Sequence, residues 1–239
     1  MPLLDALIVA HGQPSAPEMA EEALAGFRQK VAKHAPEVCI GSATLAARGS
    51  LEGQLANLRP NAPVYPLFMS EGWFVKTNLA NRLKTASVKV MTAFGKDPSL
   101  PKIAVTALAD RLTPGSAPLL LVAHGSASGR AAPSQATEQF ARTMSTMLGA
   151  HPVQVGYIEQ NPHIRDVARH APEAAQCLPF FAMEGAHLRN DVRIALDQAG
   201  FVGDLLPPIS HLPGVAQHIA DTITAALDGD RPLPKAACV

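Results

Sequence analysis

Residues 119–125 read LLLVAHG, in which five apolar residues end abruptly at a histidine and a glycine. A run this short and this uniformly apolar is typical of a strand that is buried on both faces of a parallel sheet. Residues 7–12 read LIVAHG and repeat the pattern 113 positions earlier. The two stretches therefore predict two equivalent strands, each followed by a His-Gly turn.

The offset of 113 positions continues beyond these two strands. PLFMSEG at 66–72 aligns with PFFAMEG at 179–185, and the two share a proline, a phenylalanine, a glutamate and a glycine. Residues 88–108 align with residues 201–221 mostly by apolar pattern. A self-similarity of this length indicates two copies of one folding unit.

We therefore divide the chain of 239 residues into two tandem domains. The first spans residues 1–113 and the second spans residues 114–239, with TPGSA (113–117) as the joint and a flexible tail from about residue 228. Domains of this size can each bury a core of their own.

Each copy alternates short apolar runs with longer stretches of helical periodicity. In the first copy the strands are predicted near residues 5–10, 38–45, 63–69 and 88–93. Between the first two strands Met19, Ala23, Phe27 and Val31 recur at helical spacing and are predicted to form one apolar helix face. Such alternation indicates an α/β fold, with a four-stranded parallel sheet in each copy and helices on both faces.

The composition argues against several classes of function. Twenty basic and twenty acidic residues leave no net charge, so general attraction to nucleic acid or to a membrane surface is not supported. No apolar run approaches the roughly 18 residues that span a bilayer. Neither GxGxxG nor GxxxxGK[ST] follows the strands, so no nucleotide is expected. We expect a cytoplasmic protein, monomeric or homodimeric, that binds neither nucleic acid nor membrane.

Three ligand-type side chains follow three strands of the second copy. The first strand ends at His124, the second, VQVGYIE, ends at Glu159, and the third, in CLPFFAMEGAH, ends just before His187. Any one of them alone is better explained as a hydrogen-bonded cap or a solvated group. Together they favour a ligand site, because the carboxyl ends of parallel strands meet at one edge. Two imidazoles and a carboxylate form an open site for a divalent first-row metal.

The corresponding positions of the first copy are His11, Ala46 and Phe74. A purely structural role would predict similar side chains in both copies, whereas the first copy has only one of the three ligand types. We therefore assign the metal and catalytic site to the second copy and regard the site in the first copy as degenerate.

With these motifs in place, the chain resembles the class II tetrapyrrole chelatases, in particular the sirohydrochlorin cobaltochelatase and ferrochelatase family in its tandem two-domain form. The resemblance covers the chain up to about residue 228. It rests on LLLVAHGS (119–126), YIEQNPHI (157–164), PFFAMEGAHLRNDV (179–192) and PPISHLPGV (207–215). It implies two flavodoxin-like α/β domains with a chelatase-like arrangement of strands.

The resemblance also implies roles for the residues at the strand ends. His124 and His187 match the histidines that such enzymes use to receive the metal and to take up protons, and Glu159 matches an acidic position of several members. Relatives of the long form often keep their histidine pair in the first half, where this chain has Phe74. The implied reaction inserts Co²⁺ or Fe²⁺, with Ni²⁺ as a third candidate, into sirohydrochlorin or a related precorrin. The product would serve cobalamin or sirohaem biosynthesis.

The chemistry of insertion suits histidine, because two pyrrole protons are released and neutral imidazole is both a base and an exchangeable metal ligand. Sirohydrochlorin carries many carboxylates, for which the chain offers nearby cations. The candidate substrate contacts are Ser126, Arg130, Arg189 and His11, with Lys76 and Arg193 as further cations. For any single one of these cations, ordinary surface charge explains its presence equally well.

Two other functions use the same features. A protein that binds or delivers metal or tetrapyrrole without catalysis would need the same ligands. A histidine phosphatase also has a His-Gly turn after its first strand, but its chemistry calls for an arginine immediately before the histidine. Ala10 and Ala123 occupy that place, so we rank the phosphatase below the chelatase.

Overall fold

The computed structural model describes residues 3–112, 117–185 and 187–228, which form two separate four-stranded parallel sheets. The predicted α/β class and the two parallel sheets are confirmed. Most of the predicted joint at 113–117 and the tail predicted beyond residue 228 lie outside the described residues. No described helix is both long and apolar enough to cross a membrane.

The first sheet has the strand order β2-β1-β3-β4, and all neighbouring strands are parallel. The π-helical segment of this part runs directly into the helix that follows it. The elements are β1 (Ala6–Ala10), α1 (Pro17–Ala32), β2 (Ile40–Thr44), α2 (Ser50–Leu55), β3 (Ala62–Pro66), the π-helical segment Phe74–Leu79, α3 (Ala80–Leu83), β4 (Val88–Val90) and α4 (Leu100–Ala107).

The second sheet has the equivalent order β6-β5-β7-β8, again entirely parallel. A π-helical segment precedes a helix at the same place as in the first sheet. The elements are β5 (Leu119–Ala123), α5 (Ala131–Met147), β6 (Val153–Tyr157), α6 (Ile164–Ala168), β7 (Gln176–Pro179), the π-helical segment His187–Val192, α7 (Arg193–Ala199), β8 (Asp204–Leu205) and α8 (Val215–Asp228).

The offset of 113 positions holds in the hydrogen bonding as well as in the sequence. Ala46 N donates to the carbonyl of His11 at 3.0 Å, and Glu159 N donates to the carbonyl of His124 at the same distance. Both π-helical segments begin at equivalent positions, Phe74 and His187. The two strand ends can therefore be compared residue by residue.

The core of each sheet follows from strand alternation. Leu7 and Val9 of β1 point to one face, where they pack with residues of α2, α3 and the π-helical segment. Leu120 and Val122 of β5 do the same against α6, α7 and the second π-helical segment. Since side chains alternate along a strand, Ile8, which is also fully buried, belongs to the opposite face of the first sheet.

The last helix of each sequence repeat packs against elements of the other repeat. Helix α8 packs against α1 and β3, and α4 packs against α5. The compact units are accordingly Met1–Phe94 with Gly214–Val239, and Gly95–Pro213. We refer to them as unit 1 and unit 2. The boundaries of these units differ from those of the repeats 1–113 and 114–239. The division into repeats remains a prediction from the sequence.

One helical prediction is wrong in part. Met19 was expected on the buried face of α1, but it is exposed, whereas Leu24, Phe27 and Val31 are buried. The predicted row advances four residues at a time and drifts by about 40° per step around a helix of 3.6 residues per turn. Counted back from buried Val31, three such steps put Met19 off the core-facing side, whereas Leu24, Phe27 and Val31 lie on it.

Candidate functional site

The His-Gly turn of unit 2 requires its glycine. Gly125 follows His124 directly after β5 and has a φ of 74°. A Cβ at this position would lie 2.8 Å from Cγ of Gln160, a distance that carbon atoms do not tolerate. The equivalent Gly12 has a φ of 75°, and its Cβ would lie 2.6 Å from that of Thr44. Only glycine adopts this backbone without strain, so both turns require it.

The structure brings His124 and Glu159 together, as the sequence predicts. Nδ1 of His124 lies 3.4 Å from Oε2 of Glu159. Glu159 stands two residues beyond β6, and its Oε2 also accepts a hydrogen bond of 3.1 Å from Ala127 N. The carboxylate is therefore held by two groups of the loop that follows β5, the Ala127 amide and the His124 imidazole.

This pair is accessible from solvent and suited to binding a cation. The side chains of His124 and Glu159 are 38% and 36% exposed. A proton on Nδ1, which faces both the carboxylate and the Gly125 carbonyl, places the lone pair of the neutral ring on Nε2. A carboxylate behind a histidine in this way fixes the orientation and the tautomer of the ring.

Ser126 and Gln160 hold the two loops in register. Ser126 N donates to Oε1 of Gln160 at 2.9 Å. The Ser126 hydroxyl lies 3.0 Å from that of Ser128 and accepts from Arg130 N at 3.3 Å, so it orders the turn that leads into α5. Gln160 was not predicted. The sequence feature that could have indicated its role is its position next to Glu159, just beyond the end of β6.

The third predicted ligand lies in a helix. Strand β7 ends at Pro179, so the prediction that it runs to just before His187 is wrong, and residues 180–186 intervene. His187 begins the π-helical segment, which buried Leu188 and Val192 anchor to the core. The side chains of His187 and Arg189 lie outside the described part of the structure.

Among the side chains that are described, no three of His, Cys, Asp or Glu converge on a point that could hold a metal ion. Two of the three predicted ligands, His124 and Glu159, are adjacent. The participation of His187 stays a prediction, carried by its backbone position at the start of the π-helical segment.

The same edge of unit 1 is closed by an aromatic ring. The centroids of the His11 and Phe74 rings are 3.9 Å apart and their planes are nearly perpendicular. Nδ1 of His11 lies 2.6 Å from the carbonyl oxygen of Gly12. Ala46 has no group that binds a metal, so His11 has the Phe74 ring beside it where His124 has a carboxylate.

Polar side chains also tie together the elements of unit 1 near this edge. Glu21 of α1 accepts hydrogen bonds from Thr44 N, at the end of β2, and from the Ser50 hydroxyl at 2.9 Å. Arg82 of α3 donates to the carbonyl of Leu45 at 3.0 Å and forms two bonds of 2.9 and 2.8 Å with Glu52. The hydrogen bond from Arg82 lowers the pKa of the Glu52 carboxyl.

Two further groups near the second sheet do not suit metal or proton chemistry. Burial, with Glu138 as a secondary cause, raises the pKa of Tyr157 to about 12, so the phenol stays neutral near pH 7. Burial raises the pKa of the free Cys177 thiol well above its usual range. Both groups are therefore in their neutral forms near pH 7.

Comparison with known proteins gives a consistent result. The CbiX family model matches residues 118–226. The solved structure of CbiX, described as the terminal enzyme for biosynthesis of siroheme in denitrifying bacteria, is 36% identical, with a TM-score of 0.79; the match covers 93% of this chain and 99% of that one. No protein of curated function matches the chain.

Two structures of SirB share the fold at low identity. SirB from Bacillus subtilis with Fe³⁺ is 16% identical over 98% of this chain and 100% of that one, with a TM-score of 0.69. The sirohydrochlorin chelatase SirB from Bacillus subtilis subspecies spizizenii, in complex with cobalt, is 15% identical over 96% and 97%, with a TM-score of 0.67. These likenesses extend over nearly the whole of each chain.

Proposed function

Because the chain belongs to the CbiX family of chelatases, we propose that it inserts Co²⁺ or Fe²⁺ into sirohydrochlorin or a related precorrin, for sirohaem or cobalamin biosynthesis. The observation that carries this proposal is the contact between His124 and Glu159 at the strand ends of unit 2. Both residues, with His187, fall within the segment that the family model matches. The metal in this reaction is a substrate that must be bound and then released.

His124 is the proposed first ligand of the incoming ion. Its Nδ1 faces Glu159, so the lone pair at Nε2 is available to a cation when the ring is neutral. The Glu159 carboxylate orients the ring and offsets part of the charge of the ion. Nitrogen and oxygen donors of this kind bind Co²⁺, Fe²⁺ and Ni²⁺ alike, and an open coordination sphere lets the ion leave.

His187 is the proposed second histidine of the site. Insertion of a divalent ion replaces two protons on the pyrrole nitrogens, and these protons need an acceptor near neutral pH. Imidazole has an unperturbed pKa of about 6.5 and suits this task. The start of the π-helical segment puts His187 on backbone that Leu188 and Val192 hold in the core, which would fix the position of such a base.

Polar groups around the His-Gly turn are proposed to bind the carboxylates of the tetrapyrrole. Arg130 occupies the N-cap position of α5 and is exposed. Arg189 lies two residues beyond His187. Ser126, whose hydroxyl orders the turn, lies in the same loop as Arg130. Arginine pairs well with carboxylates because its guanidinium offers parallel donors.

A spectroscopic assay tests the proposal directly. Metal-free protein is mixed with sirohydrochlorin and either Co²⁺ or Fe²⁺ without oxygen, and the absorption change of the macrocycle is followed against a reaction without protein. We expect many turnovers per protein molecule with at least one metal. Binding of one equivalent without acceleration of insertion would contradict the proposal and would identify a carrier instead.

A further inference from the structure

Two large aromatic side chains are exposed side by side in unit 1. Trp73 is 45% and Phe74 is 39% exposed, although burial of such rings is among the largest stabilising contributions in a protein. The ring centroids are 5.1 Å apart with nearly perpendicular planes, and Phe74 makes the similar contact with His11. Trp73, Phe74 and His11 thus form a continuous series of edge-to-face rings, which we call the aromatic edge.

The aromatic edge is held in place by the fold. Phe74 begins the π-helical segment, and Leu79 at the other end of that segment is fully buried. His11 follows β1 directly, and its Nδ1 contacts the carbonyl of Gly12. The rings are therefore presented by two anchored elements, and their exposure is not a property of a loose loop.

The surroundings of the aromatic edge favour a small ligand over a protein partner. Lys76 and Thr77, on the same segment, are exposed polar residues. Two aromatic side chains bury at most about 150–250 Å² each, which falls far short of the roughly 800 Å² per partner of a stable protein interface. A planar conjugated molecule with anionic side chains fits both the rings and the neighbouring ammonium group.

We propose that Trp73 and Phe74 form a stacking surface for the tetrapyrrole, with Lys76 pairing to one of its carboxylates. This inference rests on the proposed function. Phe74 stands at the position equivalent to His187, so the first copy has an aromatic ring where the second copy has the proposed second histidine. Offset or edge-to-face contact between conjugated rings gives the favourable interaction. The aromatic edge is thus a substrate-positioning surface.

Trp73 provides its own test, because it is the only tryptophan of the chain. Metal-free protein is titrated with metal-free sirohydrochlorin, and the fluorescence lifetime of Trp73 is measured, since a lifetime is insensitive to light absorbed by the macrocycle. Binding is followed in parallel by equilibrium dialysis. We expect the lifetime to shorten with the same midpoint that dialysis gives.

Variants separate positioning from folding. Phe74→Ala and Trp73→Ala should each raise the KM for sirohydrochlorin by about five- to tenfold, with kcat within twofold and the KM for the metal unchanged. Trp73→Phe, which keeps an aromatic ring, should have a KM for sirohydrochlorin close to that of the unchanged protein. The control is Met147→Ala, which removes an equally exposed apolar side chain at the end of α5 and should change neither constant.

The outcomes distinguish this inference from the proposed function. The stacking surface is refuted, and the chelatase proposal stands, if the protein inserts metal while sirohydrochlorin leaves the Trp73 lifetime unchanged and neither Phe74→Ala nor Trp73→Ala changes the KM for sirohydrochlorin. If dialysis detects no sirohydrochlorin binding, both are refuted. A lifetime change together with unaltered KM values in Phe74→Ala and Trp73→Ala would also overturn the role of the rings in positioning.

Discussion

The carboxyl edges of the two sheets have the same backbone and different chemistry. Each has a His-Gly turn with a positive φ and a backbone hydrogen bond of 3.0 Å to the histidine carbonyl. In unit 2 the imidazole of His124 lies next to Glu159, whereas in unit 1 the imidazole of His11 lies against Phe74. The fold therefore preserves the position of the histidine, and the side chains beside it determine what the histidine can do.

Unit 1 has two sets of polar contacts near its edge that have no counterpart at the equivalent described positions of unit 2. Glu21 binds Thr44 N and Ser50, and Arg82 joins Glu52 to the Leu45 carbonyl. The equivalents of Glu21 and Arg82 are Ser134, whose hydroxyl donates to the carbonyl of Ala131, and Ala195, which has no polar side chain. Because these bonds tie α1 and α3 to the end of β2 and to α2, we interpret this edge of unit 1 as reinforced.

The largest expected difference between the units comes from the two histidines. His124→Ala should lower the rate of insertion by about 100-fold or more, because it removes the proposed first ligand of the metal. His11→Ala is the matched control and should cost less than tenfold. Initial rates with sirohydrochlorin and saturating metal give the comparison. Equal losses would refute the assignment of the site to unit 2.

The carboxylate next to His124 should have the second-largest effect. Glu159→Gln keeps the shape and the acceptor for Ala127 N, but it removes the charge, and loss of such a group typically costs about 10–100-fold in metal affinity. The KM for Co²⁺ or Fe²⁺ should rise more than the KM for sirohydrochlorin. Ala46→Glu, made in the His124→Ala protein, should restore no activity, because Phe74 covers His11. Activity regained by that double variant would contradict this account.

Substitution of the glycines of the two His-Gly turns should lower insertion by an intermediate factor, and this factor should differ between the units. Gly125→Ala and Gly12→Ala both place a Cβ in a left-handed backbone and within 2.8 Å of a neighbour, so both should lower stability by about 1–3 kcal/mol. Only Gly125→Ala pushes against Gln160, next to Glu159, and it should lower insertion about tenfold at a temperature where both variants are folded. Urea unfolding and initial rates measure the two effects. Equal rates in the two variants would show that the loop of Glu159 does not need this turn.

The sequence predicted the parts of the fold that depend on local pattern. The parallel sheets and the two turns follow from short apolar runs and from a repeat whose offset survives intact, and the pairing of His124 with Glu159 follows from parallel strands ending at one edge. The packing of α4 and α8 could not be predicted, because an apolar helix face does not specify which sheet covers it. The contact between Ser126 and Gln160 was missed for a similar reason, since polar loop residues carry no periodicity.

The smallest expected effect is on stability and concerns the reinforcement of unit 1. Glu21→Ala leaves the buried amide of Thr44 without its acceptor, which should cost about 1–3 kcal/mol and lower the melting temperature by a few degrees, with insertion unchanged at 25 °C. Ser134→Ala is the matched control: its hydroxyl binds only the exposed carbonyl of Ala131 among the described residues, so the change should stay within about 0.5 kcal/mol. Calorimetry of both variants measures the difference. Equal shifts would mean that the polar contacts of unit 1 add no stability, and that the two edges differ only in the residues beside their histidines.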